Sequence, residues 1–431
     1  MKRRLSILQV SHDDRGGGAA NSAWYLFRSY RSRGHKSWLA VGSKRSDDPD
    51  ALLIPNYACR SPWAKLWLLA SRVRTVRRLN NLYRRYSPGG GQEDFDFPGT
   101  WHLLELTPEV PDVIHCHNLH GAYFDLRALP WLSHQLPVIL NLRDAWLLTG
   151  HCAHPIDCER WRIGCGKCPD LTCYPAIPRD ETAANWLRKR DIYARSRLYI
   201  TAPSKWLGEM AQQSMLHGVE HRVIPNGIDL AVFRPRNKQE ARRILGLPLE
   251  AKIVLMVVHN QYKDYLTMEA ALDQLSVDAE GAELFFVCLG KDGRDRRLGR
   301  GHIRYVAFEY DQERLAMYYQ ATDVYIHAAF AETFGKTVVE ALACGVPVVA
   351  TAVGGISEIV EDGRTGFLVP RGDGSAMAAR LAQLLEDERL RNRFGEEAVK
   401  AARRFDLNRQ VDDFLEWYQE VIDDWKAHEQ A

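Results

Sequence analysis

Two glutamates set eight positions apart, Glu332 and Glu340, are the pair whose types and spacing most invite chemistry. Between them Phe334-Gly335-Lys336-Thr337 reads as a loop entering a helix from about Lys336 to Cys344; a Gly345-Val346-Pro347 turn and a short apolar strand to Thr351 follow. A helix start turns free N–H groups and the positive end of its dipole outward, and Gly335 has no Cβ to hold an anion at a distance. A diphosphate could dock there. Carboxylates beside it would be repelled unless they bind something neutral, so their natural partners are hydroxyls, a ribose for one and a sugar ring for the other. Either glutamate alone would read as a helix cap or a solvated surface acid.

The company they keep is more specific. The segment resembles the Glu-x7-Glu motif of the large family-four (group 1) retaining glycosyltransferases, and Gly345-x-Pro347 and Gly354-Gly355-x-x-Glu358 also stand where that family has them. The resemblance covers nearly the whole chain and is most specific from His327 to Val369. It implies a nucleoside-diphosphate sugar as donor, with Glu340 on the ribose hydroxyls, Glu332 at the donor sugar, and N–H groups near Phe334 and Gly335 facing that sugar. It implies a B-type glycosyltransferase (GT-B) fold, α/β, with two doubly wound Rossmann-like domains facing across a cleft. It further implies transfer of a hexose to a glycan or lipid-linked acceptor in surface polysaccharide synthesis, with no cofactor required for catalysis. No Asp-x-Asp motif stands where a donor-bound metal would need one.

Three more positions join this donor site. Lys263, after the strand Lys252–Val258, suits a diphosphate as a flexible point charge. Relatives carry a Gly-Arg pair just before this lysine, whereas this chain has Val258-His259, which leaves His259 or Asn260 to substitute. Gly290 ends the strand Glu283–Leu289 and matches a glycine that faces the nucleotide base in relatives. Gly17 and Gly18 lie in a glycine-rich loop between the strand Leu5–Val10 and a helix to Arg33, a phosphate-binding arrangement.

The elements that must position these residues alternate strand and helix through both halves. A chain of 431 residues is too long for one ordinary core. The expected organisation is an acceptor-binding domain over 1–222, a nucleotide-sugar-binding domain over 223–405, and a helix over 406–431 that crosses back to the first domain. The hinge falls at Pro225-Asn226-Gly227-Ile228-Asp229. A hydrophobic content of 46% and a formal charge of +2 describe a globular protein and not a nucleic-acid-coating one. The apolar run after Met1 is too short for a signal peptide and none is long enough to span a membrane, so a cytoplasmic location is expected.

In the first half, Val113-Ile114-His115-Cys116-His117-Asn118-Leu119-His120 reads as a buried strand ending in histidines, which at a parallel strand's carboxyl end face the ligand crevice. By the family's Asp-x-x-His-x-His pattern His117 faces the acceptor and His115 packs inside. Asp144, after the strand Pro137–Leu142, could accept or hydrogen-bond an acceptor hydroxyl proton, or cap a helix. The stretch 60–86 holds eight basic residues, no acid and interleaved Trp63, Trp67 and Leu68. It reads equally as a surface helix of its own domain or as one lying on an anionic membrane, which would make the protein peripheral.

Five thiols fall within the 22 residues from Cys152 to Cys173. Cys165-x2-Cys168 is a zinc-knuckle half-site, and Cys152 and Cys158 could complete a structural zinc. Reduced buried thiols or a labile disulfide are the alternatives. For the chain as a whole, a sugar-nucleotide epimerase or phosphorylase of the same architecture, or a catalytically silent sugar-nucleotide-binding protein, are the competing readings.

Overall fold

The computed structural model describes residues 3–60, 62, 65, 90–258, 260–278, 283–299 and 301–429. Apart from Arg60, Pro62 and Lys65, the basic stretch 60–86 lies outside the described residues, as does His259. The chain divides into two compact units, one formed by Met1–Ile224 with Val411–Ala431 and the other by Pro225–Gln410.

The first unit is built on strands β1 (Ser6–Asp13), β2 (Lys36–Ser43), β3 (Ala51–Leu53), β4 (Val113–Cys116), β5 (Val138–Asn141), β6 (Leu198–Ala202) and β7 (His221–Val223). They pair in parallel in the order β3-β2-β1-β4-β5-β6-β7. β4, β5 and β6 are buried at every position, as strands covered by helices on both faces must be. The order reverses at β1, with β2 on one side and β4 on the other. The loops leaving β1 and β4 therefore diverge, and a crevice opens at the carboxyl ends of these two strands. The glycine-rich loop follows β1 and the histidine cluster follows β4, so sequence places both at that point.

The final helix, Leu407–Glu429, belongs to this unit from Val411 onward. Its apolar stripe is buried there: Phe414 packs at a tilt against His115 at 4.8 Å, and the Trp425 indole N–H donates to the Ser133 carbonyl at 2.9 Å.

The second unit repeats the plan with β8 (Lys252–Val257), β9 (Leu284–Leu289), β10 (Arg296–Leu298), β11 (Gly301–Val306), β12 (Val324–His327), β13 (Val348–Thr351) and β14 (Gly366–Val369). The order is β10-β11-β9-β8-β12-β13-β14, parallel except for β10 at the edge. Side chains alternate between two layers. Leu255, Val257 and Tyr325 pack under the helix Lys336–Ala343, while Val254, Met256 and Ile326 pack with the helix Gly374–Glu386. Here the order reverses between β8 and β12, the strands that precede Lys263 and Glu332.

Two parallel-sheet Rossmann-like units make this an α/β protein of the GT-B class, as expected. Some elements differ from the sequence reading. The stretch from Phe95 to Trp101, whose sequence reads as loop, enters a 3₁₀ helix over Pro98–Glu105 that the sequence reading does not assign; its first position is a proline, where a missing N–H costs nothing. The short edge strands β3 and β10 carry too few residues to show a period of two. No helix among the described residues is long and apolar enough to cross a membrane.

Candidate functional site

In the second unit the loops after β8 and β12 are stitched together by backbone. Asp264 N–H donates to the Ala328 carbonyl and Phe330 N–H to the Tyr262 carbonyl, each at 2.9 Å, around a bridge between Lys263 and Ala329. This fixes Lys263 against the end of β12. Its Nζ donates to Glu332 Oε2 at 2.6 Å and to His327 Nε2 at 3.1 Å. An ammonium only donates, so His327 Nε2 must offer a lone pair. In a neutral ring the proton then sits on Nδ1, which faces the Tyr325 hydroxyl at 3.3 Å and Thr337 Oγ1 at 3.5 Å. Burial opposes the charge on Glu332, but the Lys263 ammonium beside it outweighs that and holds the carboxyl well below its ordinary range.

The glycines beside this cluster have physical reasons. Gly335 begins the helix Lys336–Ala343 at φ +101°, a conformation that side chains resist, and this helix start has no side-chain cap. Gly355 donates its N–H to the Glu332 carbonyl at 3.0 Å, and a Cβ there would fall 2.5 Å from the Thr333 carbonyl oxygen. Only glycine lets that turn lie flat on the Glu332 loop. Phe334 is buried edge-on against Phe405 at 5.6 Å, so it anchors the loop from below.

Glu340 is placed differently from Glu332. It is 3% exposed, accepts a hydrogen bond from the Tyr319 hydroxyl at 2.9 Å, and has Lys336 Nζ 3.8 Å from its other oxygen. Burial raises its pKa, only partly offset by Lys336 and Tyr319. Gly290 sits at φ +87° just past β9 and donates to the Val306 carbonyl at 2.8 Å, so its N–H is spent on the sheet. Asn260 Oδ1 accepts from Tyr262 N–H at 3.0 Å and so shapes the turn before Lys263.

In the first unit, Gly17 and Gly18 open the helix Gly18–Ser32 without a side-chain cap, and a Cβ at either would meet nothing within 4 Å. By contrast Ser204, Asn237, Asp311, Asp373 and Asp387 all cap helices through their side chains. Asp14 props the glycine loop, accepting from the N–H groups of Arg45 and Ser46 at 2.8 Å each.

The expectation that His117 presents itself to an acceptor is corrected by its surroundings. The residue is fully buried; Nε2 meets Gln9 Oε1 at 2.9 Å, Nδ1 meets Arg143 Nη2 at 3.1 Å, and the ring packs at a tilt against His115 at 4.2 Å. Burial, reinforced by neighbouring positive groups, keeps both imidazoles well below their usual pKa. His115 is internal as expected, held by Asn141 and by the Tyr418 hydroxyl. Asp144 instead pairs with His120: Oδ2 and Nε2 are 2.8 Å apart, while Oδ1 accepts from Trp146 N–H at 2.9 Å and so starts a 3₁₀ turn. Burial works against the Asp144 charge, and His120 with the backbone bond still lowers its pKa. The rings of Trp146 and Tyr174 each lie 5.5 Å from His120.

The cysteine-rich loop gathers its thiols without assembling the expected tetrad. Cys152, Cys158, Cys165 and Cys168 all line one small cavity and all are free thiols. Among the described residues, however, no three His, Cys, Asp or Glu side chains stand ready around a single ion. The thiols have other partners: Cys165 Sγ accepts from Gly150 N–H at 3.3 Å, and Cys168 Sγ contacts the Asp170 carbonyl at 3.4 Å. Burial pushes Cys152 up to about 12 and Cys165 up to about 11.

Sequence reasoning singled out Lys263, Glu332, Glu340 and Asp144 but not the side chains that hydrogen-bond them, His327, Tyr319 and His120. His327 was visible as a lone imidazole inside the apolar run Val324-Tyr325-Ile326-His327-Ala328-Ala329. Tyr319 carried no signal, because an aromatic residue in a helix reads as core.

Comparison with known proteins places these features in context. The family model described as Glycosyltransferase Family 4 matches residues 16–232, and that described as Glycosyl transferases group 1 matches 237–401. Over 333 residues the chain is 32% identical to the D-inositol 3-phosphate glycosyltransferase of Acidothermus cellulolyticus, covering 72% of this chain and 67% of that protein. It is 35% identical over 217 residues to D-inositol 3-phosphate glycosyltransferase 2 of Catenulispora acidiphila, covering 47% of this chain and spanning only about half (51%) of the relative's length. The putative colanic acid biosynthesis glycosyl transferase WcaC of Escherichia coli is 27% identical, with 58% of this chain and 62% of that protein covered. Among solved structures, Anabaena Alr3699/HepE in complex with UDP and glucose superposes with a TM-score of 0.61 at 15% identity, over 96% of this chain and 100% of that one. At that identity the likeness is one of fold.

Proposed function

This chain belongs to glycosyltransferase family 4, the group 1 glycosyl transferases, and we propose that it moves a hexose from a nucleoside diphosphate to a hydroxyl acceptor with retention of anomeric configuration. The observation that carries this reading is the Lys263–Glu332 pair at the reversal point of the second sheet, beside a helix that starts at an uncapped Gly335. The diphosphate docks on the first-turn amides. Lys263 then exchanges its hold on Glu332 for the phosphate oxygens, and Glu332 turns to the sugar hydroxyls. As the sugar–oxygen bond breaks, negative charge grows on the leaving diphosphate; a preset ammonium and helix amides stabilise it without reorganising. Glu340, steadied by Tyr319, holds the ribose.

We place the acceptor side in the first unit, where Asp144 and His120 form a hydrogen-bonded pair beside the exposed ring of Tyr174. A glycan or lipid-linked acceptor in surface polysaccharide synthesis agrees with the likeness to the colanic acid transferase. Lipid linkage would bring the enzyme to the cytoplasmic face of a membrane, with 60–86 as the segment to test by deletion.

The test is direct. Purified protein is incubated with UDP-, GDP-, ADP- and dTDP-sugars and a panel of glycan and polyprenyl-diphosphate acceptors, and the new anomeric linkage is read by NMR. An axial donor giving an axial product supports the reading. An inverted product, or donor isomerised with no acceptor consumed, overturns it.

A further inference from the structure

We propose that the cavity in the cysteine-rich loop is a structural site for one thiophilic divalent ion of the zinc class. The cavity is about 20 Å³, room for one water or one ion and for no organic ligand. Four thiols and one imidazole line it: Cys152, Cys158, Cys165, Cys168 and His151.

His151 is oriented as a ligand would be. Its Nδ1 lies 3.0 Å from the Pro175 carbonyl, which can only accept, so Nδ1 carries the proton. In the neutral ring Nε2 therefore holds a lone pair, and it is 3.4 Å from Cys168 Sγ. In a tetrahedral zinc site with Zn–N of about 2.0–2.1 Å and Zn–S of about 2.3 Å, an N–S edge spans roughly 3.6 Å. The His151–Cys168 pair is already close to that edge, and a ligating histidine characteristically donates its second nitrogen to a carbonyl in this way. Cys165 supplies a third donor, its sulfur accepting the Gly150 N–H at 3.3 Å. Cys152 or Cys158 provides the fourth. Among the described residues the thiols do not converge on one point, so ligation requires their side chains to turn into the cavity they line. On binding, each ligating thiol releases its proton to solvent.

The backbone supports the same conclusion. Gly164, Cys165, Gly166 and Lys167 all have positive φ, and for Cys165 at +53° and Lys167 at +47° that conformation is unfavourable. Side-chain acceptors pin this turn, Gly166 N–H to Thr182 Oγ1 at 2.9 Å and Cys168 N–H to Asp180 Oδ2 at 2.7 Å, aiming two sulfurs from one tight loop. The bound ion would fasten the loop to the segment it braces: Ala153 N–H bonds the Tyr174 carbonyl, and the Ala153 carbonyl accepts from Ala145 N–H, next to Asp144.

The experiment is elemental analysis of the full chain, purified without added metal and desalted, alongside His151→Ala, Cys168→Ser and Cys173→Ser, the last lying outside the cavity lining. The expected result is one zinc per wild-type and Cys173→Ser chain, and at least a tenfold lower content in the other two. Should those two not fold, wild-type protein is titrated with a thiol reagent before and after chelation, and three thiols should become reactive only once the metal is gone. Absence of stoichiometric metal from the wild type, or full retention in His151→Ala, overturns the assignment.

Discussion

The two units place polar clusters at the same point of the same fold, the carboxyl ends of strands where sheet order reverses, yet the clusters are built to opposite ends. In the second unit Lys263, His327 and Glu332 form a charged set whose ammonium can change partners beside an open helix start. In the first unit His115 and His117 pack against each other fully buried, with Gln9, Asn141, Arg143 and Tyr418 engaging their nitrogens. One cluster is arranged to exchange its bonds and the other to keep them. Position in a fold marks where chemistry is possible, and the count of satisfied bonds tells which cluster is available for it.

Breaking the exchangeable cluster should have the largest effect. Lys263→Ala removes the cation that meets the developing diphosphate charge, so turnover should fall by about 10²–10³. Circular dichroism should remain that of the wild type. A comparable activity loss from His117→Ala without unfolding would erase the distinction between the clusters. Instead His117→Ala should act on stability, leaving Gln9 and Arg143 underpaired and lowering the free energy of unfolding by about 1–3 kcal/mol in urea titration. Asp144→Asn should show the reverse pattern, a reduced rate with a small stability change.

The charged cluster also has a pH signature. The folded-state pKa of Glu332 is depressed, so its contribution to stability is present above the unfolded carboxylate pKa and is lost as pH falls through the folded value. The stability gap between wild type and Glu332→Gln should thus be constant at neutral pH and close only well below the ordinary carboxylate range. A gap that closed near pH 7 would contradict the pairing with Lys263. The smallest expected effect is that of Tyr319→Phe, which removes one hydrogen bond from buried Glu340. About 1 kcal/mol of stability should go, with a few-fold rise in donor KM and an unchanged kcat.

How much of this was legible in sequence follows from the kind of interaction. Gly335 and Gly355 could be read because backbone constraints leave few residues to choose from, and the alternating strands because buried parallel sheets demand unbroken apolar runs. Lys263 could be singled out because it closely follows the apolar strand Lys252–Val258. The pairing of Asp144 with His120 could not, since it joins residues 24 positions apart through the register of β4 against β5. His117 was misjudged for a related reason: a motif fixes its position, while its exposure depends on Gln9, a residue from another strand that no local pattern connects to it.

Donor binding tests the central claim most directly. Isothermal titration of the UDP-, GDP-, ADP- and dTDP-sugars against wild type and Lys263→Ala should find a donor that binds the wild type and binds the variant at least about tenfold more weakly, the loss expected for one charge-assisted contact. A donor that binds both proteins with the same Kd would place the diphosphate somewhere other than the Lys263–Glu332 site and contradict the account.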